Sequence, residues 1–152
     1  RMIPWLFCLL HCSIPPLYID ITAQALIDAG RDYPKARVCD SPLDSTLMVA
    51  AQNQAEYQAK RRQQGHQLWD KRIKVLHKKF PSYNFQEICA ESWDDETNDP
   101  LYYIGWGMFK AWAYYPTGHW DVVKQRHDMF GAGMALGRDG IWYACIIVGD
   151  EK

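Results

Sequence analysis

Three residues of this chain, His66, Glu87 and His119, are of types that can hold a metal ion or an anionic ligand. Neutral imidazole and carboxylate both bind Zn²⁺, and water completes the tetrahedron, so two imidazoles and a carboxylate brought together by folding would form a small polar site. In a metal-dependent hydrolase Glu87 would be general base or ligand, with the two histidines holding zinc and its water. Glu91 lies four residues beyond Glu87; on a strand that spacing is about 13 Å, so only one of the two can belong to the site. Other nucleophile patterns are missing: no Ser stands in a Gly-x-Ser-x-Gly elbow, and no Cys has a matched His nearby in sequence. His77 and His127 have no convergent partners and read as surface residues. Cys8 and Cys12, with His11 between them, have CxxxC spacing, but no second pair with zinc-finger spacing follows. Gly131-Ala-Gly133 enters a strand rather than leaving one for a helix, which favours tight packing of that strand on a helix over a dinucleotide loop.

The chain that must position these groups has 152 residues, enough for one domain with a real core. Seventeen Lys and Arg against 18 Asp and Glu give a net charge of −1, which argues against nucleic acid, because phosphate binding needs a surplus of basic residues. The basic middle, from Lys60 to Lys79, is balanced by the acidic stretch Asp94 to Asp99 and reads as two solvated faces of opposite sign. Of seven Trp and nine Tyr, five of each lie between Trp93 and Tyr143 and signal a packed second half or a contact surface; Trp106, Trp112 and Trp120 are its candidates. Five cysteines do not describe a closed disulfide framework. Cys89 and Cys145, on separate strands, form a bridge if those strands are neighbours, or remain two buried thiols.

Residues 1–16 form an apolar arm with one positive charge, too short to span a bilayer. It is expected to pack on the domain or on a neighbouring chain, with an uncleaved secretion signal as the alternative. Residues 17–152 are expected to form a single domain. Spacing predicts a helix from Leu17 to Ala29 ended by Gly30, then a loop to Pro42. A second helix, capped by Asp44 or Ser45, carries the narrow small-sided stripe Leu47, Ala51, Ala55 and Ala59 and ends near Gly65, leaving His66 just past its end. A third, from Gln67 to Lys79, is predicted to turn Leu68, Ile73, Val75 and Leu76 inward. Gln86 to Trp93 reads as a strand with Glu87, Cys89, Glu91 and Trp93 on one face and Ile88 and Ala90 on the other. An aromatic helix from Leu101 to Tyr114 and a short one from His119 to Arg126 follow. Two apolar runs joined by Gly137-Arg-Asp-Gly140 give a hairpin. These elements predict an α+β fold: a three-layer α-β-α sandwich around a small, mainly antiparallel sheet.

Taken together, the stripe Leu47-x-x-x-Ala51-x-x-x-Ala55, His66 and Arg72, the Glu-x-x-Ala strand at Glu87, Trp112 to His119, and Gly131-x-Gly133 before a final Trp-Tyr strand follow the order of the CAP superfamily. Over residues 40–148 the chain resembles these cysteine-rich secretory, venom-antigen and pathogenesis-related proteins, and the bacterial SCP-like proteins among them. The usual Gly-Glu-Asn is Gln86-Glu87-Ile88 here, and three of four cleft residues match. The resemblance implies that His66, Glu87 and His119 line a central cleft able to bind a divalent metal such as zinc, and that the protein is secreted or extracytoplasmic. Because fold does not dictate activity, the leading expectation is a non-enzymatic binding module. It would use the His/Glu cleft and the aromatic surface, with a protein partner or a small hydrophobic ligand. The alternatives are a structural subunit docked through residues 2–14 and a metal-dependent hydrolase.

Overall fold

The computed structural model describes residues 19–94, 98–115 and 117–152. The apolar arm, with Cys8, His11 and Cys12, and the docking segment 2–14 lie outside the described residues. Elements run in the order α1 (Ile21–Asp32), a 3-10 turn (Val38–Asp40), α2 (Ser45–Arg61), α3 (Trp69–Lys79), β1 (Tyr83–Glu91), α4 (Leu101–Tyr114), α5 (His119–Val123), β2 (Met129–Leu136) and β3 (Trp142–Glu151). The sheet is antiparallel with order β1-β3-β2, so β3 is central and β1, which carries Glu87, forms an edge.

Alternation along the strands gives the sheet two faces, and each is covered by helices, which makes the predicted α-β-α sandwich. On one face Ile88, Ala132, Met134, Ala144 and Ile146 meet Leu26 and Ile27 of α1 and Ile104, Met108, Phe109 and Trp112 of α4. On the other, Phe85, Cys89, Cys145 and Ile147 meet Leu47, Ala51 and Ala55 of α2 and Leu76 of α3. Asp44 caps α2 by accepting from the amides of Thr46 and Leu47, satisfying donors that the first helical turn leaves without partners. The small stripe of α2 lies directly on β2: a Cβ on Gly131 would stand 2.1 Å from the Leu47 carbonyl carbon, and one on Gly133 2.4 Å from Gln52 Cα.

Several boundaries differ from expectation. Gly30 does not end α1, which continues to Asp32; the residue is glycine because Phe109 of α4 crosses there, its Cζ 2.4 Å from where a Cβ would sit. The 3-10 turn at Val38–Asp40 interrupts the expected loop. α2 closes at a left-handed Arg62 rather than at Gly65, Arg62 donating its amide to Ala59 and Gln58. β1 starts at Tyr83 and ends at Glu91, leaving Trp93 beyond it, and α5 stops at Val123 rather than Arg126. The inward face of α3 is smaller than predicted. Leu76 is buried and Ile73 partly so, whereas Leu68 and Val75 are 46 % and 63 % exposed, because α3 meets only the edge of the sheet. His127, expected at the surface, is buried, with Nδ1 2.8 Å from Asp150 and Nε2 2.9 Å from the Val122 carbonyl. His77 is half-buried against Phe85.

Candidate functional site

The turn between α2 and α3 presents His66, and two buried glutamines hold that turn. Gln54 donates to the Gly65 carbonyl at 2.7 Å, and Gln58 accepts from the Gly65 amide at 3.0 Å while donating to the Ala144 carbonyl of the central strand. Both side chains are about as buried as the core. Burial without such partners would be costly, so the pairing pins the turn to the sheet. His66 Nδ1 thereby comes within 3.0 Å of Glu87 Oε1.

Glu87 is already engaged. Its side chain is 1 % exposed, and Arg72 in the first turns of α3 clamps it: Nε is 3.0 Å from Oε2, and NH2 is 2.7 Å from both oxygens. The guanidinium is held in turn by the Gln67 carbonyl at 2.6 Å and lies over the Trp69 ring. A buried carboxylate needs this compensation, and bidentate guanidinium is the strongest form of it. Cys89, two residues along on the same face of β1, puts its sulfur 3.8 Å from Glu87 Oε1 and 3.9 Å from His66 Nδ1. Ligand atoms of His66, Glu87 and Cys89 thus lie within 4.8 Å of one another, a donor set that could hold a metal ion.

His119 opens α5 behind Gly118, whose φ of 82° makes the sharp entry. Its ring stands 6.2 Å from that of His66, and its Nδ1 is 3.0 Å from the Thr117 hydroxyl. The two imidazoles differ in charge. Contacts with the Cys89 sulfur and then the Glu87 carboxylate push His66 up to about 10, against the effect of burial, so this ring is an imidazolium at neutral pH. Burial, reinforced by the charge of His66, pulls His119 below its ordinary value and leaves it neutral. Among the described residues, Nε2 of neither ring carries a hydrogen bond.

His119 borders a cleft of about 300 Å³ whose wall includes Trp93, Trp112, Tyr115, Glu91, Ser92 and Gln64. Trp93 and Tyr115 stack with centroids 6.4 Å apart. Trp112 is core, donating its indole N–H to the Cys89 carbonyl at 2.9 Å. Trp106 and Trp120 are partly buried around Tyr33 on the α1–α4 side, so of the three tryptophans singled out only Trp112 borders the cleft. Cys89 and Cys145 are register partners on β1 and β3 and are free thiols, as is Cys39; the bridge alternative is not realised. Burial raises the Cys145 thiol, whereas hydrogen bonds from Cys145 and His66 lower that of Cys89.

Sequence reasoning singled out His66, Glu87 and His119, and the structure sets them side by side. It missed the roles of Arg72 and Cys89. Strand alternation had already put Cys89 on the face of Glu87, and that was the available signal. For Arg72 no local pattern gives the reach from one helix to the next strand.

A divalent metal fits this site only in part. The free Nε2 atoms of the histidines suit zinc, but both Glu87 oxygens are occupied by guanidinium N–H groups, and the proton on His66 competes with a metal. No helix among the described residues is long and apolar enough to cross a membrane. No protein-family model and no curated protein matches the sequence. In three dimensions the chain is similar to an outer surface protein from Borrelia burgdorferi, with a TM-score of 0.60 and 21 % identity over 89 % of this chain and 98 % of that one. At that identity the likeness is one of fold.

Proposed function

We propose that the domain is a non-enzymatic binding module of CAP type that takes a small, flat ligand with a hydrogen-bonding group in the cleft beside His119. One observation carries the reading: Glu87, the only acidic residue of the three, is locked by Arg72 and His66. The group of the three left to face the cleft is therefore the neutral ring of His119, next to an aromatic wall that also carries the Glu91 carboxyl. A neutral imidazole and a carboxyl group beside a stacked Trp–Tyr wall suit a small, flat, uncharged ligand with a hydrogen-bonding group. The ordered sequence motifs and the three-layer fold support the CAP assignment, and the fold likeness to an outer surface protein supports an extracytoplasmic placement.

Zinc, if bound, would draw on His66, Glu87 and Cys89, whose ligand atoms lie within 4.8 Å of one another, would have to displace the guanidinium from Glu87, and would act as a Lewis acid toward an oxygen ligand. A hydrolase would need Glu87 to accept a proton or bind the metal, which its guanidinium partner opposes.

Titrating the full ¹⁵N-labelled chain with benzamide tests the proposal. The amides of Trp93, Tyr115 and His119 are expected to shift, and His119→Ala is expected to weaken binding about tenfold, or ~1.4 kcal/mol. Zinc-dependent turnover of 4-nitrophenyl acetate that His119→Ala abolishes would establish the hydrolase instead. An unresponsive cleft at millimolar benzamide would remove the ligand site.

A further inference from the structure

A second hollow, about 650 Å³, runs between α2 and α3, away from the histidine cleft. On α2 its wall is the stripe Ser45, Val49, Asn53 and Tyr57, spaced every four residues; on α3 it is built around Leu68 and Val75. Val49, Leu68 and Val75 are 61 %, 46 % and 63 % exposed, although each faces this furrow. Exposed branched side chains gathered in one hollow mark an interaction site more than scattered surface residues do. Two helical ridges with a furrow between them are the surface onto which a third helix packs.

Charge identifies the occupant. The charged residues lining the furrow are Lys71 and Arg72, with no acid among them. Arg72 is neutralised by Glu87, while Lys71 makes no ion pair among the described residues. Further along α3, Lys74 and Lys78 are exposed, and Lys79 contacts the hydroxyl of Thr46, itself a wall residue of the furrow. The furrow is more open than enclosed, so a single acyl chain in it would leave much of its surface in water. A helix would lay its apolar stripe inward and keep its polar face wet.

We propose that this furrow docks an amphipathic α-helix of a partner protein whose apolar stripe is flanked by Asp or Glu. The mode is helix-in-groove recognition with a basic rim that sets orientation. It does not depend on the histidine cleft.

The probe is a synthetic 15-residue helical peptide with Leu at positions i, i+3, i+4 and i+7 and Glu on the flanks, titrated into the full ¹⁵N-labelled chain. The amides of Val49, Leu68 and Val75 are expected to shift. A peptide with Lys flanks should bind about fivefold more weakly, as should the Glu peptide to Lys71→Glu, and the Lys peptide should regain affinity for Lys71→Glu. Val75→Asp, at an exposed position, should weaken binding while the circular dichroism spectrum stays native, and His119→Ala should leave binding unchanged. Equal affinity for Glu and Lys peptides, or no shift at millimolar peptide, overturns the proposal. So does laurate shifting the same residues where the peptide does not, which would make the occupant an amphiphile. Groove shifts that appear on concentrating the chain alone would assign the furrow to a second copy, and shifts on deleting residues 2–14 would assign it to the apolar arm. Either result also overturns it.

Discussion

α2 and α3 cover the same face of one sheet by opposite means. α2 is seated by shape: Leu47, Ala51 and Ala55 lie on Gly131 and Gly133, and the backbones approach too closely for any Cβ between them. α3 is seated by charge: it buries Leu76 and is tied to β1 mainly through Arg72 and Glu87. Close packing leaves no space, because an interior at crystal-like density excludes even a methyl group. A helix tethered by one ion pair stands off, and the furrow lies open beside it. Arg72 belongs to both regions, as a wall of the furrow and as the clamp on the polar site. Binding surfaces here arise where packing is incomplete and electrostatics supplies the hold.

The largest test strikes the tether. Arg72→Met leaves a buried carboxylate with only His66 and the Cys89 thiol beside it, and removing one partner of such a pair costs about 3 kcal/mol; replacing both, with Glu87→Leu, should restore much of that. Urea unfolding reads both variants, and an unchanged midpoint in Arg72→Met would show that α3 is not held by charge.

A middle-sized test contrasts the two seats. Gly131→Ala forces a methyl against the backbone of α2 and should destabilise the protein by about 2 kcal/mol, whereas Val75→Ala on exposed α3 should stay within about 0.5 kcal/mol. Comparable losses from the two would erase the distinction.

The smallest effect sharpens the polar side. Because the folded value of His66 is raised to about 10 from an ordinary 6.5, the stability contributed by its imidazolium is complete below about pH 6.5 and is lost as pH rises through 10. The ring is 44 % exposed, so solvent damps the effect. The difference in melting temperature between the wild type and His66→Ala should shrink by a few degrees between pH 6.5 and 10. A difference that is flat with pH would mean that His66 is neutral.

Much of the fold was legible because local periodicity reports local burial. The stripe of α2, the two faces of β1 and the Gly137 to Gly140 turn all follow from residues a few positions apart. The errors fell where the partner was distant. Gly30 reads as a helix stop until Phe109 is seen crossing it, and His127 reads as surface until Asp150 and the Val122 carbonyl enclose it. Leu68 and Val75 fit an inward face by period, but the sheet ends at β1 and offers them nothing to pack on.

The site divides the same way. Residue types and spacing were enough to single out His66, Glu87 and His119 and to put Cys89 on the strand face of Glu87, since alternation is a property of the extended chain itself. That Glu87 is clamped by a guanidinium, that one imidazole is charged and its neighbour neutral, and that a furrow lies open beside α3 were decided by tertiary structure alone. Charge state and accessible space depend on which groups share a few ångströms, and distances between remote segments are not written in any local pattern.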